Sequence, residues 1–221
     1  MMRVHREIRP FAAAAVLAAI PAAWLWPPAI VAPALALVAL VFFFRDPRRA
    51  VPRDPTAVVA PADGRVLRVD RVVPDFLGDF PARDADSAGG PAFDRLAIFL
   101  SLLDVHVVRA PCAGTVTGKA YRRGRFLHAG SPEAETRNER NVIAIEDETG
   151  GRVFVVQSAG LVARKILCFV GPGDRVAAGD ELGFIRFGSR VDVFVEAPVA
   201  FGKAVGDRVH GGAETIGRRR S

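Results

Sequence analysis

The 221-residue chain is poor in cysteine, with only Cys112 and Cys168, and it has no CxxC spacing and no cluster of His and Cys residues. We therefore expect no metal site and two reduced, buried thiols. No G-x-S-x-G motif occurs, which argues against an ordinary serine hydrolase. Basic residues are not interleaved with aromatic residues, as they are in proteins that bind single-stranded nucleic acid, so no nucleic-acid partner is expected.

A long stretch near the N-terminus lacks charge altogether. The apolar run from Phe11 to Phe44 exceeds the roughly 20 residues that one membrane crossing needs, but is too short for two full crossings. It predicts a membrane-associated helical segment, either a hairpin of two segments at about 11–26 and 29–44 or a single kinked span. A cleaved signal peptide is the competing interpretation, which the length of the run disfavours.

Arginines flank this run on both sides: Arg3, Arg6 and Arg9 before it, and Arg45, Arg48, Arg49 and Arg53 after it. By the positive-inside tendency, both flanks belong in the cytoplasm. The formal net charge of +6 also favours an anionic membrane surface as a partner. We therefore expect residues 1–50 to anchor and link a soluble domain of residues 51–221 on the cytoplasmic side of the inner membrane.

After residue 50, short β-type runs alternate with turns rich in glycine, proline and aspartate. The strand-like runs lie at 56–60, 65–73, 96–110, 115–121, 141–147, 152–160 and 165–170. Segments 74–95 and 130–141 predict loops, the first mobile and the second with a helical turn. A turn motif recurs, as in GPGDRVAAGDELG and AVGDRVHGGAETIG. Its spacing resembles the half-motifs of lipoyl-type domains. The expected fold is mainly β, a barrel or sandwich of short strands.

One further strand-like run, GFIRFGSRVDVFVEA at 183–197, has a glycine and a serine in its middle. Apolar side chains recur at every second position: Ile185, Phe187, Val191, Val193 and Val195. Ser189 has the same parity, so its side chain is expected to face the core. Gly188 permits backbone conformations that other residues resist. The ordinary interpretation of Ser189 is a small residue where strands pack closely.

Three other polar stretches stand out from their surroundings. Asp63 precedes a glycine in VAPADGRV, and His106 lies in the apolar run SLLDVHVVRAPC, two residues after Asp104. RNERN concentrates polar groups at Asn138, Glu139 and Arg140. Taken singly, these stretches have ordinary accounts as a turn, a hydrogen-bonded core histidine and a solvated loop.

Five stretches, taken together and in this order, resemble the phosphatidylserine decarboxylase proenzymes, most closely their short bacterial form. These stretches are PADG, DVHVVRAPC, RNERN, QSAGLVARKI and FGSR, and the resemblance covers essentially the whole chain. The resemblance implies that Ser189 attacks the Gly188 carbonyl and that the chain cuts itself into residues 1–188 and 189–221. Ser189 then becomes a pyruvoyl group, which forms a Schiff base with the amine of phosphatidylserine and drives its decarboxylation to phosphatidylethanolamine. The two chains are expected to form a heterodimer, with a further oligomer left open.

The same resemblance implies roles for the other polar stretches. Asp63 matches an acidic residue of self-cleavage. His106 matches a histidine that handles the substrate or delivers a proton during decarboxylation. Asn138, Glu139 and Arg140 are candidates for substrate binding.

Arg109 departs from the family pattern. In the longer form, a second histidine stands three residues after the first, in a self-cleavage triad with the aspartate and the serine. Arginine cannot act as a base at neutral pH. Three alternatives stay open: His128 replaces the missing base, His106 serves both stages, or Asp63 and backbone strain suffice.

Two other functions compete with a phosphatidylserine decarboxylase. One is a membrane-anchored sandwich module that binds a partner or lipid without catalysis. The other is a pyruvoyl enzyme that acts on a soluble amino acid, against which the apolar N-terminus argues. The non-catalytic module would remain one intact chain, whereas a pyruvoyl enzyme is cut in two.

Overall fold

The computed structural model describes residues 2–81, 90–161, 165–186, 188–196 and 198–219. The chain forms two compact units, Met1–Arg48 and Arg49–Ser221. The first is mainly helical, and the second is almost entirely β.

The charge-free run folds as two helices close to the two predicted segments. Helix α1 (Arg9–Leu25) and helix α2 (Val31–Phe43) contact each other and are joined by a 3-10 turn at Pro27–Ile30. By length and composition, one helix in the described part of the chain, Arg6–Leu25, suffices to cross a membrane, and the apolar helix Pro27–Phe43 is shorter. The first unit is therefore a helical hairpin.

The two outer ends of the hairpin meet. The rings of Phe11 and Phe44 lie 5.5 Å apart. Strand β1 (Met2–Val4) pairs antiparallel with strand β2 (Arg45–Pro47). The basic residues that flank the hairpin are therefore brought to the same end of this unit.

The second unit contains a single-turn helix and a series of mostly short strands. They are β3 (Ala57–Val59), β4 (Gly64–Val72), β5 (Phe93–Leu100), β6 (Val107–Arg109), β7 (Gly114–Arg122), α3 (Ala134–Arg137), β8 (Arg140–Asp147), β9 (Arg152–Ser158), β10 (Lys165–Cys168), β11 (Arg175–Val176), β12 (Glu181–Arg186), β13 (Ser189–Val195), β14 (Val199–Phe201), β15 (Arg208–Val209) and β16 (Thr215–Arg219). The helical turn predicted between 130 and 141 is confirmed by α3.

Eight of these strands form one antiparallel sheet in the order β11-β7-β8-β9-β13-β5-β4-β15. The sheet curls into a half-barrel, which confirms the predicted mainly β class. Its aliphatic face carries the main core, including Ile98 of β5 and Val191 of β13. Its aromatic face carries a second cluster built on Phe76, Phe154 and Phe194. Alternate residues of β13 therefore enter two different clusters.

Two three-stranded sheets, β10-β12-β6 and β14-β16-β3, complete the second unit. The buried Gln157 of β9 ties the first of them to the large sheet. Its amide nitrogen donates to the Leu167 carbonyl of β10 at 3.2 Å, and its amide oxygen accepts from Asn141 of β8 at 2.8 Å. The two sheets are thus held together at their buried faces by hydrogen bonds as well as by apolar contact.

The recurring turn motif forms the same structure twice. The Asp174 carboxylate accepts from the Gly171 amide at 2.8 Å, and the Asp207 carboxylate accepts from the Ala204 amide at 2.8 Å. Each turn also exchanges two backbone hydrogen bonds with one long strand, the first with β7 and the second with β4. The strand after each turn, β11 or β15, then pairs with that same long strand. This internal repeat agrees with the predicted half-motifs.

Two runs that the sequence pattern predicts as single strands are each broken, so the prediction of continuous strands is wrong. The run 96–110 divides into β5 and β6 at a turn in which the Asp104 carboxylate accepts from the Ser101 amide and hydroxyl at 2.8 and 2.6 Å. The run 183–197 divides into β12 and β13 at Gly188, whose φ of +71° is left-handed. At both breaks the chain passes from one sheet to another. Alternation of apolar residues carries no signal for such a change.

The predicted mobile loop at 74–95 is anchored where the structure describes it. Phe76 is buried, with its ring 5.3 Å from that of Phe154. Residues 82–89 of this loop lie outside the described residues, as do residues 162–164 of the QSAGLVARKI stretch and Phe187. The first part of the loop is therefore packed in the aromatic cluster.

Candidate functional site

Gly188 and Ser189 lie at the corner where the chain passes from β12 to β13. Ser189 begins β13 and pairs with Leu100 of β5. Its side chain is fully buried, as its parity predicts. Within the described part of the chain, its hydroxyl oxygen has no hydrogen-bond partner. A buried polar atom without a partner is rare enough to require a functional explanation.

A second glycine lies against the Gly188 carbonyl. A Cβ atom added to Gly160 would be 2.4 Å from the Gly188 carbonyl oxygen, closer than real Cβ contacts come. Only glycine therefore fits at 160, and its backbone closes one side of the carbonyl. Gly160 lies within the QSAGLVARKI stretch, but the sequence alone assigns it no role. The only available signal was a glycine at the end of a strand, which often marks close approach of another backbone.

His106 contacts the same corner. Its Nε2 atom accepts a hydrogen bond from the Gly188 amide at 3.1 Å, and its Nδ1 atom lies 2.9 Å from the Asp104 carbonyl oxygen. An amide only donates and a carbonyl only accepts, so these two partners require the tautomer with the proton on Nδ1. The imidazole is fully buried. Its basic nitrogen therefore faces the backbone one residue before Ser189.

The Asp104 carboxylate folds the turn that supports His106. One of its oxygens accepts both hydrogen bonds from Ser101, and the other accepts from the Arg208 guanidinium at 3.1 Å. The aspartate is buried, while the Arg208 side chain is 61% exposed. Both the carboxylate and the backbone carbonyl of Asp104 are thus used to fix the position of the imidazole.

Asp63 lies away from the corner. Its carboxylate accepts from the Gly211 amide at 2.8 Å and from the Arg49 guanidinium at 2.7 Å. It immediately precedes β4, and β5 separates β4 from β13 in the sheet. In the part of the chain that the structure describes, no hydrogen bond joins Asp63 to Ser189 or His106. The predicted aspartate and serine are therefore in the same sheet but not in contact.

Arg109 belongs to the surroundings of Asp63 and not to the corner. Its backbone amide donates to the Pro61 carbonyl at 2.8 Å, and its guanidinium donates to the Gly179 carbonyl at 3.0 Å. Pro61 lies in the turn between β3 and β4, and Gly179 lies in the turn between β11 and β12, so Arg109 connects two turns. The position that departs from the family pattern thus holds a residue with a structural task.

His128, in contrast, reaches the site. It lines a cavity that ends at Gly188, and its ring lies 5.5 Å from that of Phe99. Its Nδ1 atom accepts from the Gly130 amide at 3.2 Å. Of the residues considered as the self-cleavage base, the structure therefore brings His106 and His128 to the corner.

This cavity, of about 370 Å³, opens beside the corner. Its lining consists of Phe99, Leu100, Ser101, Leu102, Leu103, His128, Ala129, Leu161 and Gly188. Apolar side chains form most of the wall, and the side chains of Ser101 and His128 are its polar groups. A ligand with an apolar body and a polar end would fit such a lining.

Asn138 is a clamp between two backbone segments of the site. Its side-chain amide donates to the Leu127 and Ala159 carbonyls at 2.9 and 2.8 Å, and its oxygen accepts from the Leu127 amide at 2.8 Å. Leu127 precedes His128, and Ala159 precedes Gly160. Asn138 thus holds together two segments that reach the corner.

The other two residues of the predicted binding stretch lie elsewhere. The Arg140 guanidinium donates to the Asp75 carboxylate at 2.6 Å and to the Glu135 carbonyl at 3.0 Å. The Glu139 backbone bridges Arg125 and Ala159. None of the three predicted residues is among those that line the cavity, and their part in substrate binding stays a prediction.

Ion pairs on the aromatic face of the sheet hold β13, the strand that begins at Ser189. Arg190 donates to the Asp192 carboxylate at 2.7 Å, and both residues are buried. Burial raises the pKa of Asp192, and the Arg190 guanidinium offsets part of that rise. Burial also acts to raise the pKa of Glu135, but its hydrogen bond with Arg95 and the surrounding guanidinium charges lower it overall. These pairs hold alternate residues of β13 on the aromatic face, which leaves Ser189 on the opposite face.

The two cysteines and the possible metal ligands are further candidates for a functional site among the described residues. Cys112 is buried, and burial raises the pKa of its thiol to about 12, so the reactive thiolate is scarce at neutral pH. The Cys168 sulfur lies 3.3 Å from the Val170 carbonyl oxygen. No group of three or more His, Cys, Asp or Glu residues in the described ranges is arranged to hold a metal ion.

Comparison with known proteins identifies relatives over nearly the full length. The profile of the family described as phosphatidylserine decarboxylase matches residues 37–218. The chain is also similar to the phosphatidylserine decarboxylase proenzyme of Beijerinckia indica subsp. indica. The two are 41% identical over 214 residues, which cover 96% of this chain and 88% of that relative.

We predict that Asn138→Ala destabilises the protein. The change removes the partner of backbone groups of the half-buried Leu127 and the buried Ala159, and each buried group left without a partner costs about 1–3 kcal/mol. The free energy of unfolding, measured by denaturant titration in detergent, should fall by at least ~2 kcal/mol. Glu133→Ala, at an exposed position in the same segment, is the control. Equal stability of the two variants would contradict the clamp.

Proposed function

The chain belongs to the phosphatidylserine decarboxylase family, and on that premise we propose that it makes its own pyruvoyl group by self-cleavage between Gly188 and Ser189. The reaction of the family is the decarboxylation of phosphatidylserine. One observation supports the position of the cut. The buried Ser189 hydroxyl has no partner among the described residues, beside a glycine carbonyl that lies against Gly160. The products are chains 1–188 and 189–221.

The proposed cleavage uses atoms of the corner and water. The Ser189 hydroxyl adds to the Gly188 carbonyl carbon, and the acyl group moves from nitrogen to oxygen as the peptide C–N bond breaks. Loss of the proton from Ser189 Cα then breaks the Cβ–O bond, and Gly188 leaves as a carboxylate. Water replaces the nitrogen of the dehydroalanine that remains, which releases ammonia and leaves a pyruvoyl group. The left-handed φ of Gly188, which glycine adopts without strain, sets the direction of the carbonyl that Ser189 attacks.

His106 has two successive tasks in this proposal. Before the cut, its Nε2 atom holds the Gly188 amide and so fixes the carbonyl that Ser189 attacks. After the cut, Gly188 is a chain end, and its movement would leave the basic nitrogen able to exchange a proton with the substrate. The fixed tautomer suits both tasks, because Nε2 carries a lone pair while Nδ1 is held by Asp104.

Asp63 acts as a positioning residue in this proposal. Its carboxylate holds Arg49 and Gly211 next to the start of β4. The following residue, Gly64, lies so close to β5 that an added Cβ would be 2.1 Å from the Phe99 carbonyl oxygen. Phe99 precedes the residue that pairs with Ser189. Asp63 therefore acts on the corner through β5.

The residues of the corner fit a pyruvoyl group at position 189, because the serine that supplies it is buried, has no hydrogen-bond partner among the described residues and follows a residue that lines the cavity. Such a group supplies an electron sink for the loss of carbon dioxide from an amino acid. The two chains are expected to stay together. Strand β13 lies between β9 and β5, and β15 and β16 pair with β4 and β3, so the short chain keeps its hydrogen bonds to the long chain.

The N-terminal hairpin is proposed to anchor the enzyme in the inner membrane. Helices α1 and α2 are apolar, and the pairing of β1 with β2 brings the two basic flanks to one end of the hairpin. By the positive-inside tendency that end faces the cytoplasm. The soluble unit would then work on the cytoplasmic side, where basic residues also favour anionic lipid.

We predict that Ser189→Ala stays one intact chain and has no decarboxylase activity, because no hydroxyl is present to attack Gly188. Intact-mass measurement of the unaltered protein should give two chains, the smaller matching 189–221 with pyruvoyl in place of serine. Ser158→Ala, a buried serine in the neighbouring strand β9, should still be cut. A single uncut chain without decarboxylase activity in preparations of the unaltered protein would instead support a non-catalytic module.

We also predict that Gly160→Ala slows self-cleavage. The added Cβ would collide with the Gly188 carbonyl oxygen, and a displacement of about 1 Å at a reacting atom can cost ~10²-fold in rate. The rate is read from the loss of the full-length chain after synthesis. Gly171→Ala is the matched control, since its Cβ would meet no atom within 4 Å. Cleavage of both variants at the rate of the unaltered protein would overturn the proposed contact.

Two substitutions at His106 separate its two tasks. His106→Gln keeps an acceptor for the Gly188 amide, so the chain should still be cut, but decarboxylation should fall about 10²–10⁴-fold for lack of a proton-transfer group. His106→Ala lacks the acceptor and should be cut poorly. Mass spectrometry measures the first effect, and carbon dioxide release measures the second. Full decarboxylase activity of the processed Gln variant would contradict this assignment.

A further inference from the structure

Exposed leucines surround the mouth of the cavity at the corner. Six large apolar side chains in the described part of the second unit are exposed, and three of them line this one cavity. Leu102 is 49% exposed, Leu103 68% and Leu161 61%. We refer to these three residues as the leucine rim. Single exposed leucines are ordinary, whereas several around one opening mark a binding surface.

The leucine rim is continuous with the mainly apolar wall of the cavity. Leu102 and Leu103 lie in the turn that leads to His106, and Leu161 follows Gly160. Behind the rim, Phe99, Leu100 and Ala129 extend the apolar surface to Gly188. An apolar path therefore runs from solvent to the peptide bond at which self-cleavage is proposed.

Basic residues lie beside this path. Arg123 and Arg125 are exposed on the segment that leads to His128. Arg208 is exposed and bonded to Asp104, in the turn that carries the two rim leucines. A surface with protruding apolar side chains and adjacent arginines matches the boundary of a bilayer that contains anionic phospholipid.

We propose that the leucine rim inserts into the membrane surface, so that a phospholipid enters the cavity directly from the bilayer. This inference rests on the proposed function, because it takes the substrate to be a diacyl lipid. Each methylene moved from a bilayer to water costs free energy, so an enzyme that had to extract the whole lipid would face a large barrier. Contact of the rim with the membrane keeps the acyl chains in apolar surroundings while the headgroup moves toward position 189.

A bilayer fits this surface better than a protein partner does. A protein seated on the leucine rim would cover the mouth of the cavity and block the entry of substrate. A bilayer covers the same side chains and also delivers the lipid. The rim and the proposed anchor are then separate membrane contacts, one holding the chain at the membrane and the other setting the cavity against it.

The first test compares one substrate class in two physical states. The full chain with Leu102→Ser and Leu103→Ser is assayed on long-chain phosphatidylserine in vesicles and on dihexanoyl phosphatidylserine below its critical micelle concentration. We expect the ratio of vesicle activity to monomer activity to fall at least ~10-fold relative to the unaltered protein, because only the vesicle substrate requires insertion. Val205→Ser, at an exposed apolar position away from the cavity, should keep the original ratio.

The outcomes of this test separate the inference from the proposed function. An unchanged ratio in the double variant, or an equal loss on both substrates, would overturn membrane insertion of the rim. Processing into two chains is measured on every sample. If the unaltered protein is neither cut nor active on monomeric substrate, the proposed function fails instead.

A second test detects insertion without relying on activity. The only tryptophans of the chain are Trp24 and Trp26, so Leu103→Trp in a Trp24→Phe, Trp26→Phe background provides one fluorophore at the rim. Vesicles of phosphatidylserine and brominated phosphatidylcholine should quench it at least ~3-fold more than they quench Val205→Trp in the same background, because bromine quenches by contact within the acyl region. Equal quenching at the two positions would overturn the proposal.

Discussion

The hydrogen bond from the Gly188 amide to the His106 imidazole is the contact on which the corner depends. His106 follows the turn that ends β5, and Gly188 precedes the first residue of β13, so the bond joins two strand breaks. It forms only while the proton of the imidazole is on Nδ1, a state that the Asp104 carbonyl secures. In these buried surroundings the bond is stronger than it would be in water. The position of one peptide bond is thus set by a turn that is distant from it in the sequence.

Ser189 is held by its strand, since its hydroxyl has no hydrogen-bond partner in the part of the chain that the structure describes. An unpaired buried hydroxyl costs about 1–3 kcal/mol, a cost that the rest of β13 offsets through pairing on both edges and through the Arg190–Asp192 contact on the aromatic face. At the same place Gly188 adopts a left-handed φ and its carbonyl lies against Gly160, two features that glycine residues allow. A buried polar group without a partner often marks a site of chemistry.

Local periodicity predicted the burial of Ser189, because side chains of a strand alternate between faces. The same periodicity failed at the two strand breaks, since the residues on each side are buried in different sheets and keep an apolar pattern across the change. The family resemblance identified Asp63 and His106, but it carries no distances. Only the fold shows that the aspartate binds Arg49 and Gly211 while the histidine binds Gly188. The role of Gly160 also depends on a contact between distant parts of the chain.

At Gly188 the chain passes from one sheet to another, which the apolar periodicity did not predict. This passage also explains how one corner can serve two successive reactions. Before the cut, Gly188 forms the inner end of the cavity. The proposed cut turns it into a chain terminus attached to β12, while residue 189 stays on β13. Because β12 and β13 belong to different sheets, the new ends can separate without breaking a hydrogen bond in either strand ladder. If both had continued one strand of one sheet, the pairing on each side would have held the cut ends together.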